Sequence, residues 1–290
     1  MAEDQAPEVR RNDVFAQQET QPSRMVPRGA EQKSPESTIP TESCPLPSSG
    51  KVYSASHPLH LADSVGIRTM TARDEDILTS RALAKNGTVI THLLRSCIVD
   101  KRVDPGSLLS GDRNALMVAI RITGYGREYD VEVTCPDDDC GEKSDYTFDL
   151  AQLPVKRLEL DPVNLGENLF TINLPSGTHA LWRFMTGRDE EELTQAANAK
   201  KKAKLADEGL VTSRLTRMLV ALNGEKDRGK IAQLVQNMPV SDSRAFRNFV
   251  QDNEPGIEMK GLFTCPACGE STEVDVPFGA SFFWPGSRKS

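Results

Sequence analysis

The heptapeptide TCPACGE, at residues 264–270, has the cysteine spacing and the flanking residues of a metal-binding knuckle. Its two thiols, Cys265 and Cys268, supply two ligands, whereas a structural zinc ion takes four in a tetrahedral arrangement. The fold of the chain therefore depends on where the other two ligands lie.

A stretch 130 residues earlier supplies the missing pair. TCPDDDCGE, at residues 134–142, also begins with Thr-Cys-Pro and ends with Cys-Gly-Glu. In such turns glycine adopts a positive φ without a steric penalty, and backbone N–H groups point toward the thiolates. The sequence predicts that Cys135, Cys140, Cys265 and Cys268 bind one structural zinc ion in a zinc-ribbon-like site.

Three alternatives to structural zinc stay open at this point. Iron fits the same four thiolates, the ribbon could have lost its metal, and a C-x-x-C pair could be redox-active. The first knuckle is longer than the second, and Asp137, Asp138 and Asp139 add negative charge that weakens affinity. A catalytic zinc is not expected, because four cysteines leave no open position for water.

The residues on either side of each knuckle predict a β-hairpin. In the first, REYDVEVTCP (127–136) leads into the turn and EKSDYTFDL (142–150) leads out of it. In the second, EMKGLFTCP (258–266) and ESTEVDVPF (270–278) take the same places. A metal shared by the two hairpins would join distant parts of the chain.

The two knuckles belong to a longer internal repeat. MTARDEDILT (70–79) matches MTGRDEEELT (185–194), and GDRNALMVAIR (111–121) matches SDSRAFRNFVQ (241–251) at the offset that also superposes Cys135 on Cys265. We predict an α+β fold of two tandem pseudo-repeats, each with helices and one β-hairpin, joined by the zinc-ribbon-like site. The expected divisions are a first repeat at 58–150, a connector at 151–173 and a second repeat at 174–290.

Helices are predicted between these landmarks. Thr71 and Asp74 form a potential capping box, and Asn86-Gly87 is a helix stop. Acidic residues at 189–192 open a second helix, which lysines at 200–204 close. Two apolar stripes at helical spacing are expected in the core, Ile90, Leu93, Leu94, Cys97 and Ile98 in the first repeat and Leu215, Met218, Leu219 and Leu222 in the second.

The N-terminal residues have a different composition. Residues 1–57 are rich in Pro, Ser, Gln and Glu and show no helix or strand period. Such a stretch buries too little apolar surface to offset the ordering of its backbone. We predict a disordered tail at 1–57, in which Cys44 is a free thiol, with ordering on a partner as the alternative.

Composition narrows the class of protein. No apolar run approaches the roughly 18 residues that cross a bilayer, and a net charge of −7 argues against a protein that chiefly binds nucleic-acid backbones. The N-terminus has no secretory signal, so we expect a reducing cytosol, where cysteines serve as thiols or metal ligands. Other proteins are the expected partners.

The sequence contains no catalytic motif that we recognise. His57, His60, His92 and His179 lie apart, and no zinc-protease, serine-hydrolase or phosphate-loop pattern occurs. Two acid–base pairs, Asp112 with Arg113 and Asp242 with Arg244, are interpreted as N-cap and helix-end residues. We therefore expect no enzyme, no catalytic residues and no small-molecule substrate.

Four stretches carry a resemblance to a known family. They are MTARDEDILTSRALAKNGTVITHLLRSCIVD (70–100), GDRNALMVAIRITGYGREYDVEVTCP (111–136), LPSGTHALWRFMTGRDEEE (174–192) and FTCPACGE (263–270). Over about 60–290 the chain resembles the baseplate proteins of contractile-tailed, T-even-like bacteriophages, which belong to the baseplate hub and its assembly. The resemblance implies a non-enzymatic protein of the virion tail, assembled in the host cytoplasm among other baseplate and tail proteins.

Two other functions remain as alternatives. A zinc-ribbon nucleic-acid-binding protein would carry basic knuckles, whereas the first knuckle here carries three aspartates. An assembly chaperone that is absent from the mature particle would need the same binding surfaces as a resident adaptor. A final aromatic group is expected to cover the core of the second repeat, with a partner anchor as the alternative, and comprises Phe278, Phe282, Phe283 and Trp284.

Overall fold

The computed structural model describes residues 39–203, 209–278 and 280–283, and it has the predicted α+β architecture. The helices are α1 (Ala72–Thr79), α2 (Arg81–Asn86), α3 (Val89–Cys97), α4 (Ser110–Tyr125), α5 (Gly187–Lys202), α6 (Leu210–Met218), α7 (Arg228–Gln236) and α8 (Val240–Asn253). The strands are β1 (Thr41–Pro45), β2 (Ser64–Arg68), β3 (Glu128–Thr134), β4 (Lys143–Asp149), β5 (Val155–Lys156), β6 (Phe170–Asn173), β7 (His179–Trp182), β8 (Leu219–Leu222), β9 (Gly256–Ile257), β10 (Lys260–Thr264) and β11 (Ser271–Asp275).

The strands form small antiparallel sheets. β1 pairs with β2, β3 with β4, β5 with β9 and β10 with β11, while β6, β7 and β8 form a three-stranded sheet. Helix α4 runs through the middle, and ten of its sixteen residues are buried, because β1, β2, α3, β9 and the short helical turn Ala280–Phe283 all pack against it.

Two helices begin with the same arrangement of side chains. In α1 the Asp74 carboxylate accepts the Thr71 N–H at 2.8 Å and pairs with both terminal nitrogens of Arg68. In α5, Asp189 makes the same contacts with the Thr186 N–H and with Arg183. The predicted capping box at Thr71 is therefore confirmed, and a second one opens α5.

The helix stop at Gly87 is also confirmed. Gly87 follows α2 with a φ of +70°, a left-handed conformation that glycine adopts without strain. The apolar stripe that follows lies on α3, where Leu93, Leu94 and Cys97 are fully buried.

The predicted tail was wrong for residues 39–57, which belong to the fold. Cys44 lies in β1 and is buried, and burial, reinforced by the Asp112 carboxylate, raises the pKa of its thiol to about 12. Asp112 also accepts hydrogen bonds from the Ser48 N–H at 2.9 Å and the Tyr53 hydroxyl at 2.5 Å. Ser48 and Tyr53 each lie 59 or more residues from Asp112 in sequence, so local composition does not reveal these contacts. The expected tail at 1–38 lies outside the described residues.

The second apolar stripe is only partly helical. Helix α6 ends at Met218, and Leu219 to Leu222 form β8, which pairs with β7. Leu215, Leu219 and Leu222 are buried as expected. Four consecutive apolar residues are compatible with either a helical stripe or a buried strand. Here they form a strand because β7 offers backbone hydrogen-bonding groups along its edge.

The aspartates of α4 and α8 are not N-caps. Asp112 and Asp242 each occupy the third helical position, after the N-cap residues Leu109 and Pro239. Each is buried and accepts a backbone N–H from a distant serine, Ser48 for Asp112 and Ser176 for Asp242. Their role is to tie a preceding loop to the first turn of the helix.

Arg113 and Arg244 also differ from the helix-end interpretation. Arg244 is exposed, whereas Arg113 is buried and donates to the Thr91 hydroxyl at 3.0 Å. The Arg113 guanidinium lies against Gly187 so closely that a Cβ atom there would stand 1.4 Å from its Nη1. Arg113 thus joins α4 to the start of α5.

The aromatic group near the end packs on the opposite half from the one predicted. Phe282 and Phe283 are buried, and the Phe282 ring meets Tyr129 of β3 edge to face. Arg121 of α4 donates its Nε–H to the Phe282 carbonyl at 2.9 Å. The segment therefore covers α4 and β3, while Trp284 lies outside the described residues.

Candidate metal centre

Two antiparallel hairpins carry the four cysteines, as predicted. β3 and β4 pair in register from Glu128 opposite Asp149 to Thr134 opposite Lys143, and Cys135 begins the turn. β10 and β11 pair from Lys260 opposite Asp275 to Thr264 opposite Ser271, and Cys265 begins the second turn.

Backbone hydrogen bonds give the two turns similar shapes. The Cys135 N–H donates to the Glu142 carbonyl at 2.8 Å, and the Cys265 N–H donates to that of Glu270 at 2.9 Å. The glycines that follow the second cysteine of each turn have positive φ, +56° at Gly141 and +76° at Gly269. This left-handed conformation turns the chain back toward the outgoing strand and brings both thiols of a turn to one side.

The two turns face each other and bring the four thiols together. The Sγ atoms of Cys135 and Cys268 are 3.8 Å apart, as are those of Cys140 and Cys265. All four Sγ atoms lie within 4.8 Å of one another. Tetrahedral zinc with Zn–S bonds of about 2.3 Å requires sulfurs about 3.8 Å apart. The four cysteines therefore have the spacing of a site that could hold a metal ion.

The thiols differ in exposure. Cys135 and Cys265 are buried, Cys140 is half-buried and Cys268 is exposed. A metal ion could therefore enter from the Cys268 side and would then be enclosed by the other three. Four sulfur ligands complete a tetrahedral shell, so this arrangement suits a structural ion.

Neighbouring groups pull the thiol pKa values apart. Backbone N–H groups of Cys268 and Ala267 lower the pKa of Cys265 to about 7. At Cys135 the Asp137 N–H favours the thiolate, but burial and the adjacent thiols prevail and raise its pKa to about 12. Crowded thiols disfavour several negative charges at once, and a bound divalent cation removes that repulsion.

The comparisons with known proteins give one match. A family model described as "T4 bacteriophage base plate protein" matches residues 39–284. The chain belongs to this family. No curated protein and no solved structure matched the chain.

Membership of the base plate family confirms the resemblance drawn from the sequence and supports a structural role in the phage baseplate. It implies a place in the virion tail and contact with other tail proteins. The match begins two residues before β1 and includes both cysteine turns, so the family unit coincides with the fold described here. In the described ranges, no helix is long and apolar enough to cross a membrane.

Aromatic contacts hold the two hairpins of this base plate family member together beside the cysteines. The Phe148 ring of β4 lies on Gly261 of β10, where a Cβ atom would be 2.6 Å from the ring. The Tyr146 hydroxyl donates to the Leu262 carbonyl at 3.1 Å, and its ring meets Phe263 edge to face. Sequence analysis missed these contacts, although a glycine inside a strand is a signal of close approach.

The aspartates of the first turn do not belong to the group of close thiols. The Asp137 carboxylate accepts the Asp139 N–H at 3.1 Å, and Asp138 and Asp139 are exposed. Among the described residues, the four cysteines are the one group of potential ligands that lies close enough to share an ion. No histidine or carboxylate belongs to that group.

Proposed function

We propose that this chain is a non-enzymatic structural or assembly protein of the baseplate hub, where it acts as an adaptor between other baseplate proteins. The observation that carries this proposal is the family match over residues 39–284. The fold supports it, because the four histidines are dispersed and the cysteine cluster has the spacing of a structural ion rather than a catalytic one.

We further propose that the ion is zinc. An all-sulfur tetrahedral set suits zinc or iron, and zinc is the commoner ion in paired Cys-Pro and Cys-Gly turns. In zinc-finger peptides such a site contributes about 10–16 kcal/mol of folding free energy. Zinc bound to Cys135, Cys140, Cys265 and Cys268 would fasten the two hairpins to each other.

We propose that the chain consists of two pseudo-repeats, residues 58–150 and residues 174–290, which the connector at 151–173 separates. Two features support this, the paired Arg–Asp capping boxes and the paired aspartates at the third position of α4 and α8. The Ser48 N–H bonds to Asp112 as the Ser176 N–H bonds to Asp242. This correspondence would extend the first repeat toward the N-terminus to include β1. The metal would then join the last hairpin of each repeat.

A nucleic-acid-binding role is less well supported. The exposed face of the first hairpin carries Glu128, Asp130, Glu132 and Asp145, and Glu132 stands directly opposite Asp145 in the pairing register. Such a face repels phosphate. Protein partners are therefore the better proposal for this part of the molecule.

Quantitative mass spectrometry of purified particles tests the proposed function. The protein is counted in particles of the phage that encodes it and in the lysate of the infected cells. A small, fixed copy number that matches the symmetry of the tail supports a resident component. Abundance in the lysate without any in particles identifies an assembly chaperone, and no association with tail proteins in either fraction contradicts the baseplate role.

A further inference from the structure

A groove of about 810 Å³ lies between α6, α8 and the segment 254–258, beside the start of α4. Its walls combine apolar and charged side chains in similar proportion. Leu210 and Val211 form one rim with about half of their surface exposed, 50% and 48% respectively. Met218, Val250 and Ile257 line the interior.

The equivalent face of α4 has a cover. Asp112 and Asp242 fix the correspondence between α4 and α8, because both occupy the third helical position and both accept a serine N–H. Nine residues later, Arg121 of α4 donates to the Phe282 carbonyl under the buried Phe282–Phe283 pair. A short aromatic segment thus closes this face of the first helix.

The corresponding residue of α8 lines the groove. Gln251 stands nine residues after Asp242, and it borders the groove together with Val250 and Phe246. Within the described ranges, this opening in the second half lies where the first half holds its aromatic segment. The fold therefore provides an internal precedent for the kind of side chain that fits here.

Charged side chains of both signs line the groove, with five carboxylates, Glu190, Asp252, Glu254, Glu258 and Asp275, and four cations, Lys156, Arg214, Arg247 and Lys260. Lys260 pairs with Glu273 and Arg247 donates to the Ser243 carbonyl, so the carboxylates are in excess and favour a basic ligand. Glu190 and Glu254 both line the groove, and neither makes an ion pair within the described part of the chain. Burial and the Glu190 carboxylate raise the pKa of Glu254, although Arg214 and Lys156 act in the opposite direction. The Lys156 ammonium is engaged with the Gln251 carbonyl at 2.6 Å.

We propose that this groove binds a short segment of a neighbouring tail protein in which an aromatic residue stands beside a lysine or arginine. The aromatic ring packs on the wall of Val250 and Ile257, as Phe282 packs on the first half. The basic side chain pairs with Glu190 and Glu254. This proposal rests on the adaptor function proposed above and names the chemistry of one partner.

Site-specific photo-cross-linking in infected cells tests the proposal with the full chain. A benzophenone amino acid replaces Leu210 on the rim of the groove. A matched control carries it at Val240, which is 79% exposed and does not line the groove. The expected result is a cross-link from position 210, and not from 240, to one segment of another tail protein that contains adjacent aromatic and basic residues. Adding Glu254→Lys should lower its yield about tenfold or more, because like charges then meet.

Four outcomes overturn the proposal: no cross-link at 210, a partner segment without both residue types, a cross-link to a second copy of this chain, or an undiminished yield with Glu254→Lys. If Glu254→Lys fails to fold, Glu254→Gln takes its place in the test. Glu254→Gln removes the charge at nearly constant volume and should also reduce the cross-linking yield. If position 210 gives no cross-link but mass spectrometry finds the protein with tail proteins, only the proposed binding groove is wrong. The baseplate role itself is wrong if the protein is associated with tail proteins neither in purified particles nor in the lysate.

Discussion

The Sγ atoms of Cys135 and Cys268 lie 3.8 Å apart although 133 residues separate them in sequence. A metal ion bound to both would close a very long loop, and the entropy of closing such a loop favours the folded state when the link persists in the unfolded chain. Metal that binds only the folded chain stabilises it by mass action instead. With a metal bound, either route would make the cysteine cluster a larger source of stability than an ordinary buried thiol.

Changing Cys265 to Ser should therefore lower the melting temperature more than changing Cys97 to Ser. Cys97 is fully buried on α3 but belongs to no ligand group, so its replacement costs about 1–3 kcal/mol for a buried hydroxyl. The Cys265→Ser variant lacks one of the four proposed ligands and should lose most of the metal. Thermal unfolding and metal content of both variants provide the measurement, and equal losses of stability would count against a filled site.

Gly111 permits close contact between the start of α4 and the chain after α8. A Cβ atom on Gly111 would stand 1.6 Å from the Pro255 carbonyl oxygen, which neither backbone can accommodate without moving. Gly111→Ala should destabilise the protein by about 3 kcal/mol or more. Urea unfolding measures this, with Gly124→Ala as the matched control in the same helix.

The control should behave differently. A Cβ atom on Gly124 would meet only the Met70 side chain at 3.4 Å, an ordinary contact. We expect Gly124→Ala to be neutral or to stabilise α4 by up to about 1 kcal/mol. Similar losses for both variants would show that helix propensity, and not the contact with Pro255, explains the result.

The repeated capping aspartates predict a dependence on pH. Burial alone would raise the pKa of Asp74 and of Asp189, but hydrogen bonds from Arg68 and Arg183 outweigh it and lower both values. Since the folded pKa lies below the unfolded value of about 3.9, the stabilisation is present above pH 4 or so and is lost as pH falls further.

Asp74→Asn should thus cost about 2 kcal/mol at pH 7, and the difference from the unaltered protein should shrink between about pH 4 and pH 2. Thermal unfolding of both proteins at each pH over this range measures the difference. Because both have the same four cysteines, loss of metal in acid should affect them alike. Asp161→Asn, at an exposed position, is the control and should show no difference at any pH. A constant difference for Asp74→Asn would exclude the ion pair as its cause.

Arg121 has no carboxylate among its hydrogen-bond partners in the described chain. Its guanidinium instead donates to three backbone carbonyls, those of Gly126, Glu128 and Phe282. Arg121→Met should remove these bonds, lower stability and increase hydrogen exchange around Phe282 and Phe283. Arg121→Lys retains the charge but cannot span three acceptors, so it should resemble Arg121→Met. Full protection in the lysine variant would show that charge alone holds the segment.

The parts of the fold that follow local rules could be predicted from the sequence. The cysteine turns, their hairpins and the helix stop at Gly87 each depend on a few adjacent residues with one favourable geometry. The four cysteines could be assigned to one site because the two turns share flanking residues over a distance of 130 positions. The structure places their sulfurs within 4.8 Å of one another.

The missed features depend on contacts between distant residues. Cys44 and Tyr53 lie in a stretch with the composition of a disordered segment, yet both are buried through contacts with α4. Leu219 to Leu222 fit a helical stripe and become a strand because β7 offers an edge. Phe282 follows the second hairpin in sequence but packs on α4 and β3, where Arg121 donates to its carbonyl and Tyr129 contacts its ring.

The metal content of the full chain, purified from its host without added metal, tests the central claim most directly. We predict one zinc ion per chain, with X-ray absorption showing four sulfur ligands at about 2.3 Å. Cys265→Ser should reduce the zinc content to a small fraction. A chain that contains no metal and retains four free thiols, with the same melting temperature before and after chelation, would contradict the claim that a metal clasp joins the two hairpins.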